Sequence, residues 1–280
     1  MDRSSRKGSS MTLPSIDWNH LWQETLARKD AHLHDPKFWD KRAPEFTRHA
    51  TASDYIGQFM RIMNPEPHWT VLDVGSGAGT LAVPLAPSVK AITAIDSSKV
   101  MLSLLDKRCG ENGIGNITAI NGRWEDDWDE LGIPVHDVAI ASRSLIMDDL
   151  REAVLKLESR ARKRVYISTL VDDGPYDRKV IEAAGRDFFL GADYTLVYNL
   201  LRQLGIYANI AFTVNARQQM YKDPDDALNS MRWMIYEMTP DEENRLREYL
   251  SATLIRENGH WRMPYRRIER WAVIWWEKEL

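Results

Sequence analysis

The sequence predicts an α/β fold built on a doubly wound, mostly parallel sheet of seven strands. Strands such as 70–74 (TVLDV) and 137–141 (DVAIA) are apolar along nearly their whole length, which is typical of parallel strands covered on both faces. Between residues 70 and 170 these strands alternate with segments whose apolar residues recur at helical spacing. A glycine-rich stretch follows the first strand, where the chain must turn sharply into a helix.

Each element of this core is placed by its own pattern. In chain order, the predicted strands are 70–74, 91–95, 116–120, 137–141, 165–170, 207–214 and 270–276. The predicted helices between them are 79–86, 98–112, 148–161 and 193–204. In the second of these helices, Met101 and Leu105 share one apolar face, as in an amphipathic helix that covers a sheet.

Helical segments accompany the core at two places in the chain. Apolar residues at helical spacing predict an N-terminal helical cover over 16–66, and a mostly helical insertion over 215–266 separates the last two strands. Helix starts in the insertion are predicted at Asp223 and at Thr239, each followed by proline. We therefore predict a disordered tail over 1–15 and a single domain over 16–280, with its α/β core in 67–214 and 267–280.

Composition narrows the class of protein. The formal net charge of −4 disfavours a nucleic-acid partner, because nucleic-acid binders are usually basic. No apolar run approaches the ~18 residues of a membrane span, and no apolar leader follows the polar first ten residues. Cys109 is the single cysteine, and no cysteine–histidine spacing indicates a metal site. We expect a cytoplasmic protein without a metal, and a homodimer is compatible with the sequence.

The most informative segment is 71–80 (VLDVGSGAGT). It contains Asp73 at the end of the first strand and then a turn of G-x-G-x-G spacing, which brings the backbone close to a ligand. Asp96 ends the second strand, where an acid accepts hydrogen bonds from ribose hydroxyls. The glycines alone are also compatible with a tight turn that binds nothing. Together with both acids they favour a nucleoside ligand that carries an ammonium group, since a dinucleotide site needs its third glycine one residue later.

With this turn, Asp96 and the loop after the third strand, residues 36–170 resemble the class I S-adenosylmethionine-dependent methyltransferases. The resemblance implies a Rossmann-like sheet whose last strand is antiparallel, and S-adenosylmethionine as the cofactor. It further implies that the glycines surround the methionine part and that Trp124 and Glu125 lie beside the adenine, although Trp124 is equally compatible with plain core packing. The cofactor-binding residues implied are Asp73, Gly75, Ser76, Gly77, Gly79, Thr80, Asp96, Ser97, Met101, Arg123, Trp124, Glu125, Ser142 and Arg143.

The methyl acceptor is less well defined. No N/D-P-P-Y/F motif follows the fourth strand, which by the same resemblance disfavours nucleic-acid and amide nitrogens as acceptors. We predict in-line methyl transfer to a small molecule, with no catalytic residue identified. Arg143 is interpreted either as a contact to an acidic acceptor or, preferably, as an ion-pair partner of Asp148 or Asp149. Surplus aromatic residues are interpreted mainly as packing residues, and the candidates for an acceptor pocket are Trp39, Tyr176, Tyr194, Tyr198 and Trp233.

Three other functions share features with this sequence. A noncatalytic module that binds S-adenosylmethionine would keep the same turn and Asp96. An RNA methyltransferase is supported by the basic clusters in 160–164 and 261–270, although we interpret the first of these as a solvated surface at a helix end. A nicotinamide-dependent dehydrogenase is disfavoured by the glycine spacing.

Overall fold

The computed structural model describes residues 16–29, 37–43 and 54–278, and it confirms the predicted sheet. The seven strands are β1 (Thr70–Val74), β2 (Ala91–Asp96), β3 (Ile117–Asn121), β4 (His136–Ser142), β5 (Ala161–Leu170), β6 (Asn209–Arg217) and β10 (Arg267–Glu277). Their order is β3-β2-β1-β4-β5-β10-β6, and β10 runs antiparallel to both of its neighbours. The predicted tail over 1–15 lies outside the described residues.

The helices lie largely where apolar periodicity predicted them. They are α1 (Trp18–Lys29), α2 (37–43), α3 (Tyr55–Met63), α4 (Ala82–Leu85), α5 (Lys99–Asn112), α6 (Leu150–Ser159), α7 (Arg178–Ala183), α8 (Tyr194–Gln203), α9 (Pro224–Met231) and α10 (Pro240–Thr253). The helix predicted over 79–86 is shorter, because Pro84 and Pro87 lack the backbone N–H groups that a continuous helix needs. Within the described part of the chain, no helix has the length and apolar character needed to span a membrane.

Helices cover both faces of the sheet, as predicted. Successive strand residues point to opposite faces, so Leu72 packs in one apolar cluster with α6 and α8, and Val71 packs in another with α3 and α4. The N-terminal cover is divided between these faces. Trp22 of α1 is buried on the first and donates its Nε1–H to the Met147 carbonyl over 2.9 Å, whereas Tyr55 of α3 is buried on the second.

The insertion between β6 and β10 forms a layer of its own. The helix starts at Asp223 and Thr239 are confirmed, and Thr239 forms a capping box with Glu242. The insertion also contains a small antiparallel sheet of β7 (Met220–Tyr221), β8 (Ile255–Glu257) and β9 (His260–Arg262), which the sequence pattern did not predict. Strands of two or three residues are too short to show a periodicity. These elements share an apolar cluster with α7, and we call α7 together with residues 220–263 the cap.

Candidate functional site

The glycine turn after β1 is tied to the end of β2. Gly75 and Gly77 adopt left-handed backbone conformations, with φ of +68° and +55°. The amides of Gly75 and Ser76 both donate to the Ile95 carbonyl, and the Gly77 amide donates to the Asp96 carboxylate over 2.7 Å. Gly75 is also required sterically, because a Cβ on it would lie 2.3 Å from the Cβ of Ser144. The turn is therefore fixed from two sides before any ligand binds.

A cavity of about 330 Å³ opens at the carboxyl edge of the sheet, between the ends of β1, β2 and β4. Its lining includes nearly all of the predicted cofactor-binding residues: Asp73, Gly75, Ser76, Gly77, Thr80, Asp96, Ser97, Met101, Arg123, Trp124, Glu125, Ser142 and Arg143. The lining residues that sequence reasoning missed are Val74, Leu81, Gly122, Ser144, Ile146 and Asp148. Val74 lies within the glycine motif, whereas the others carry no signal of their own because the fold brings them to the same edge.

Gly79 is the exception among the predicted cofactor contacts, because it is not part of the cavity lining. It has a φ of +73°, and a Cβ at this position would lie 2.4 Å from Cδ1 of Leu105 and 2.9 Å from Cγ2 of Val83. This glycine lets α5 pack closely against the turn. Helix packing therefore requires a glycine here, and contact of Gly79 with the cofactor stays a prediction.

Two carboxyl groups give the cavity its electrostatic character. Burial, and to a lesser degree the charge of Asp96, raise the pKa of Asp73 to about 7. Burial also raises the pKa of Asp96, although the amides of Ser98 and Gly77 stabilise its charged form. The Asp73 side chain is 2% exposed, and none of the described residues donates a hydrogen bond to its carboxylate. A cationic ligand would supply the missing partner.

Trp124 both packs and lines the cavity. Its Nε1–H donates to the Ser144 carbonyl over 3.1 Å, and its ring packs at 5.7 Å against that of Trp128. The Ser144 hydroxyl in turn donates to the Val74 carbonyl, so the loop after β4 is bonded to the end of β1. Core packing of Trp124 is therefore compatible with a place beside a bound adenine, since packing fixes the orientation of the indole at the cavity.

Helix α2 closes one side of the site. Trp39 lines the cavity, and Asp40 accepts a hydrogen bond of 2.5 Å from the Ser98 hydroxyl, which also caps α5. On the other side of α2, Arg42 lies over the ring of Trp233 in the cap, at 4.9 Å. Asp40 was not singled out in the sequence, because no local pattern links it to Ser98, 58 residues away.

Of the residues predicted to form an acceptor pocket, Trp39 alone belongs to the cavity lining. Tyr176 packs against Trp233 inside the cap, with their ring centroids 5.4 Å apart. Tyr194 packs against Phe212 of β6, and the Tyr198 hydroxyl donates to the Ala208 carbonyl. Tyr176, Tyr194, Tyr198 and Trp233 therefore lie outside the cavity lining, and their contact with an acceptor stays a prediction. Helical spacing identified the aromatic residues but not the surface they cover, and Tyr194 and Tyr198 fasten α8 to the edge of the sheet.

The end of β4 carries a hydroxyl network and an arginine. The Tyr55 hydroxyl is hydrogen-bonded to the hydroxyls of Ser142 and Ser168, at 2.6 Å each. The Arg143 guanidinium lies 4.4 Å from the centre of the Tyr55 ring and 5.3 Å from that of Trp271. The preferred interpretation of an ion pair with Asp148 or Asp149 is thus wrong: aromatic faces draw the side chain towards β10.

Comparison with known proteins assigns the family. A family model described as a methyltransferase domain matches residues 71–163, from β1 into β5. An uncharacterized protein of Haemophilus influenzae is 31% identical over 270 residues, covering 95% of this chain and 98% of the relative. The chain belongs to the class I S-adenosylmethionine-dependent methyltransferase family.

Solved structures have the fold of this methyltransferase family. A putative methyltransferase from Bacillus halodurans superimposes with a TM-score of 0.56 at 15% identity, covering 80% of this chain and 99% of that one. The YcgJ protein from Bacillus subtilis gives 0.55 at 15% identity, covering 83% and 99%.

S-adenosylmethionine is the cofactor of this family, and the residues present suit it. Asp73 and Asp96 provide negative charge for a ligand with an ammonium and a sulfonium group. Gly77 leaves the turn open, because a Cβ there would meet only the sulfur of Met101 at 3.8 Å. The Ser76 hydroxyl is buried with no hydrogen-bond partner among the described residues. The cavity is thus chemically matched to the cofactor that the family uses.

Proposed function

We propose that this protein transfers the methyl group of S-adenosylmethionine to a small-molecule acceptor. The observation that carries the proposal is the continuity of one cavity from Asp73 and Asp96 to the end of β4, at Ser142 and Arg143. A cofactor seated over the acids would have its reactive end close to the loop after β4. The polar groups in that loop would then meet the acceptor.

Each lining residue has a proposed role. Asp73 faces the ammonium group, and Asp96 accepts hydrogen bonds from the ribose hydroxyls while its carboxylate is oriented by the amides of Gly77 and Ser98. Trp124 lies against the adenine. Ser97, Met101, Arg123 and Glu125 complete the adenosine side of the cavity, and Ser142 and Arg143 lie at its acceptor end.

When bound, the cofactor supplies a methyl group on a sulfonium. A lone pair of the acceptor forms the new bond to the methyl carbon while the carbon–sulfur bond breaks, and its electron pair stays on sulfur. The protein contributes by holding the two reactants in line and by excluding water from the cavity. An acceptor that arrives protonated releases its proton to a base or to solvent.

The test is binding of S-adenosylhomocysteine by calorimetry, followed by methyl transfer to a pool of metabolites with radiolabelled S-adenosylmethionine. We expect Asp96→Ala to weaken the binding of S-adenosylhomocysteine at least tenfold, because the amides of Gly77 and Ser98 and the ribose hydroxyls lose their acceptor. Asp137→Ala is the matched control, since Asp137 bonds Thr70 at the opposite edge of the sheet. Equal losses in both variants would contradict the assignment, and binding without turnover would favour the noncatalytic module.

An RNA acceptor is less compatible with the charges. Arg160 pairs with Asp129 at 2.7 Å and Arg164 with Glu277 at 2.7 Å, and this cluster begins β5, at the edge of the sheet opposite the cavity. Lys163 lies 3.7 Å from Asp137. Basic residues neutralised in this way release few counterions on binding a phosphate backbone. The cytoplasmic location and the homodimeric state of this protein remain predictions from the sequence.

A further inference from the structure

Three buried nitrogen donors near the carboxyl edge of the sheet have no acceptor. They are Nε of Arg143, Nδ2 of Asn215 and Nη2 of Arg217, and none of them has a hydrogen-bond partner in the part of the chain that the structure describes. Buried donors are almost always bonded, because a buried donor without a partner loses its hydration and gains nothing in return. A group of three such donors therefore suggests an absent acceptor.

The register of β6 and β10 puts these donors on one face of the sheet. Asn215 is opposite Glu269, and Arg217 is opposite Arg267. Side chains two residues apart on a strand share a face, so Trp271 lies on this face as well. The Arg143 guanidinium is packed over the ring of Trp271. All three donors thus belong to the same face and edge of the sheet.

The charges in this region are unbalanced. Glu269 is the acid of this face, and its carboxylate lies 3.3 Å from the guanidinium of Arg267. Among the described residues, no carboxylate forms an ion pair with Arg143 or with Arg217. Two guanidinium groups and an amide therefore keep buried N–H donors on this face without an acceptor from the described residues. Paired donors of this kind are typical of carboxylate and phosphate recognition.

We propose that Arg143, Asn215 and Arg217 bind an oxyanion, a carboxylate or a phosphate, on the methyl acceptor. This inference rests on the proposed function and specifies its substrate class as an acidic small molecule. Arg143 is the residue that reaches the cavity, while Asn215 and Arg217 extend the site away from it along β6. We call this group the oxyanion site.

Its position separates it from the cofactor. The cofactor acids end β1 and β2, whereas Trp271 lies on β10, three strands away from β1 in the sheet. At about 4.8 Å per strand this is roughly 14 Å, with the Arg143 side chain directed towards the β10 side. The carboxylate of S-adenosylmethionine itself is the competing ligand, and the experiment distinguishes the two.

The probes are benzoate, phenyl phosphate and the neutral benzamide, titrated into the full chain saturated with S-adenosylhomocysteine. We expect one of the two anions to bind at least tenfold more tightly than benzamide. Arg143→Met should abolish that preference, and Arg217→Met should reduce it at least fivefold, with S-adenosylhomocysteine affinity changed less than twofold in Arg217→Met. Arg270→Met is the matched control, because Arg270 alternates to the other face of β10 and lies near Asp172. It should keep the preference.

Two results would overturn the inference. One is equal binding of benzamide and both anions by the wild-type protein. The other is a tenfold loss of S-adenosylhomocysteine affinity in Arg143→Met, which would assign the guanidinium to the cofactor carboxylate. If Arg143→Met does not fold, the Arg217→Met measurement decides alone. Failure of the proposed function is a separate outcome, because the wild-type protein would then not bind S-adenosylhomocysteine.

Discussion

Replacing Asp73 with asparagine should make the ligand-free protein more stable and should weaken cofactor binding. The carboxyl group is 2% exposed, lies in the same cavity as Asp96, and has no hydrogen-bond donor among the described residues. Its pKa is about 7 in the folded protein, against an ordinary 3.8. Asparagine has nearly the same shape and no charge, so the variant isolates the effect of the charge.

The magnitude follows from the two pKa values. Between pH 3.8 and about 7 the folded protein holds a proton that the unfolded chain has released, so the free energy of unfolding falls as the pH rises through this window. The pKa difference of about three units, at about 1.4 kcal/mol per unit, lowers the free energy of unfolding by about 4 kcal/mol above pH 7. We expect Asp73→Asn to recover about 2 kcal/mol of it at pH 8, because the amide is also buried without a partner. For a domain of this size, Tm should rise by several degrees.

Cofactor binding should change in the opposite direction. A charged Asp73 attracts the ammonium group, and its charged fraction falls about tenfold between pH 8 and pH 6 if the pKa is about 7. Calorimetry of the wild-type protein should therefore show S-adenosylhomocysteine binding about tenfold more weakly at pH 6. Asp73→Asn should bind weakly at both pH values, and any slope that remains measures the titration of Asp96.

The assays are thermal unfolding of the empty protein and calorimetry, each at pH 6 and pH 8. Asp137→Asn is the control, because that carboxylate is held by Thr70 and by nearby cations, which lower its pKa. The control should keep the pH dependence of cofactor binding seen in the wild-type protein. Identical pH slopes in the wild-type protein and Asp73→Asn, for both stability and binding, would refute the reasoning.

Two further predictions concern the turn and the cap. Gly75→Ala should lower the free energy of unfolding by about 2 kcal/mol or more, because its Cβ would collide with Ser144 and its φ is +68°; urea denaturation measures this. Gly57→Ala is its control, since Gly57 lies in α3 with open space around it and alanine should add about 0.5–1 kcal/mol there. Thr239→Ala removes the capping box and should cost about 1 kcal/mol with no change in S-adenosylhomocysteine affinity. A loss of affinity would instead couple the cap to the cofactor cavity.

Short sequence patterns predicted most of the residues that line the cavity. Asp73, the first two glycines and Asp96 each lie at the end of a strand, and the strands were evident from their apolar runs. Because carboxyl ends of neighbouring parallel strands meet at one edge, these residues come together in any protein with this strand order. Gly79 shows the limit of a motif, because its spacing is right while the structure places it outside the cavity lining, where it admits Leu105.

The structure does not bring the candidate acceptor residues together at the cavity. Tyr176, Tyr194 and Tyr198 are aromatic and lie outside the sheet, but helical spacing does not reveal which surface a helix covers. Arg143 has charged neighbours in sequence, at Asp148 and Asp149, and aromatic neighbours in space. Its environment depends on Tyr55 and Trp271, which are distant along the chain.

By itself, the sequence determined the strands, the glycine turn, the two acids at the ends of β1 and β2, and the helix starts at Asp223 and Thr239, because each depends on residues only a few positions apart. The tertiary structure alone decided that α1 and α3 cover opposite faces of the sheet and that α7 joins the cap. It also placed the unpaired donors of β6 on the same face as the Arg143 guanidinium. These features arise from contacts between distant segments, and such contacts leave no periodic pattern in a single sequence.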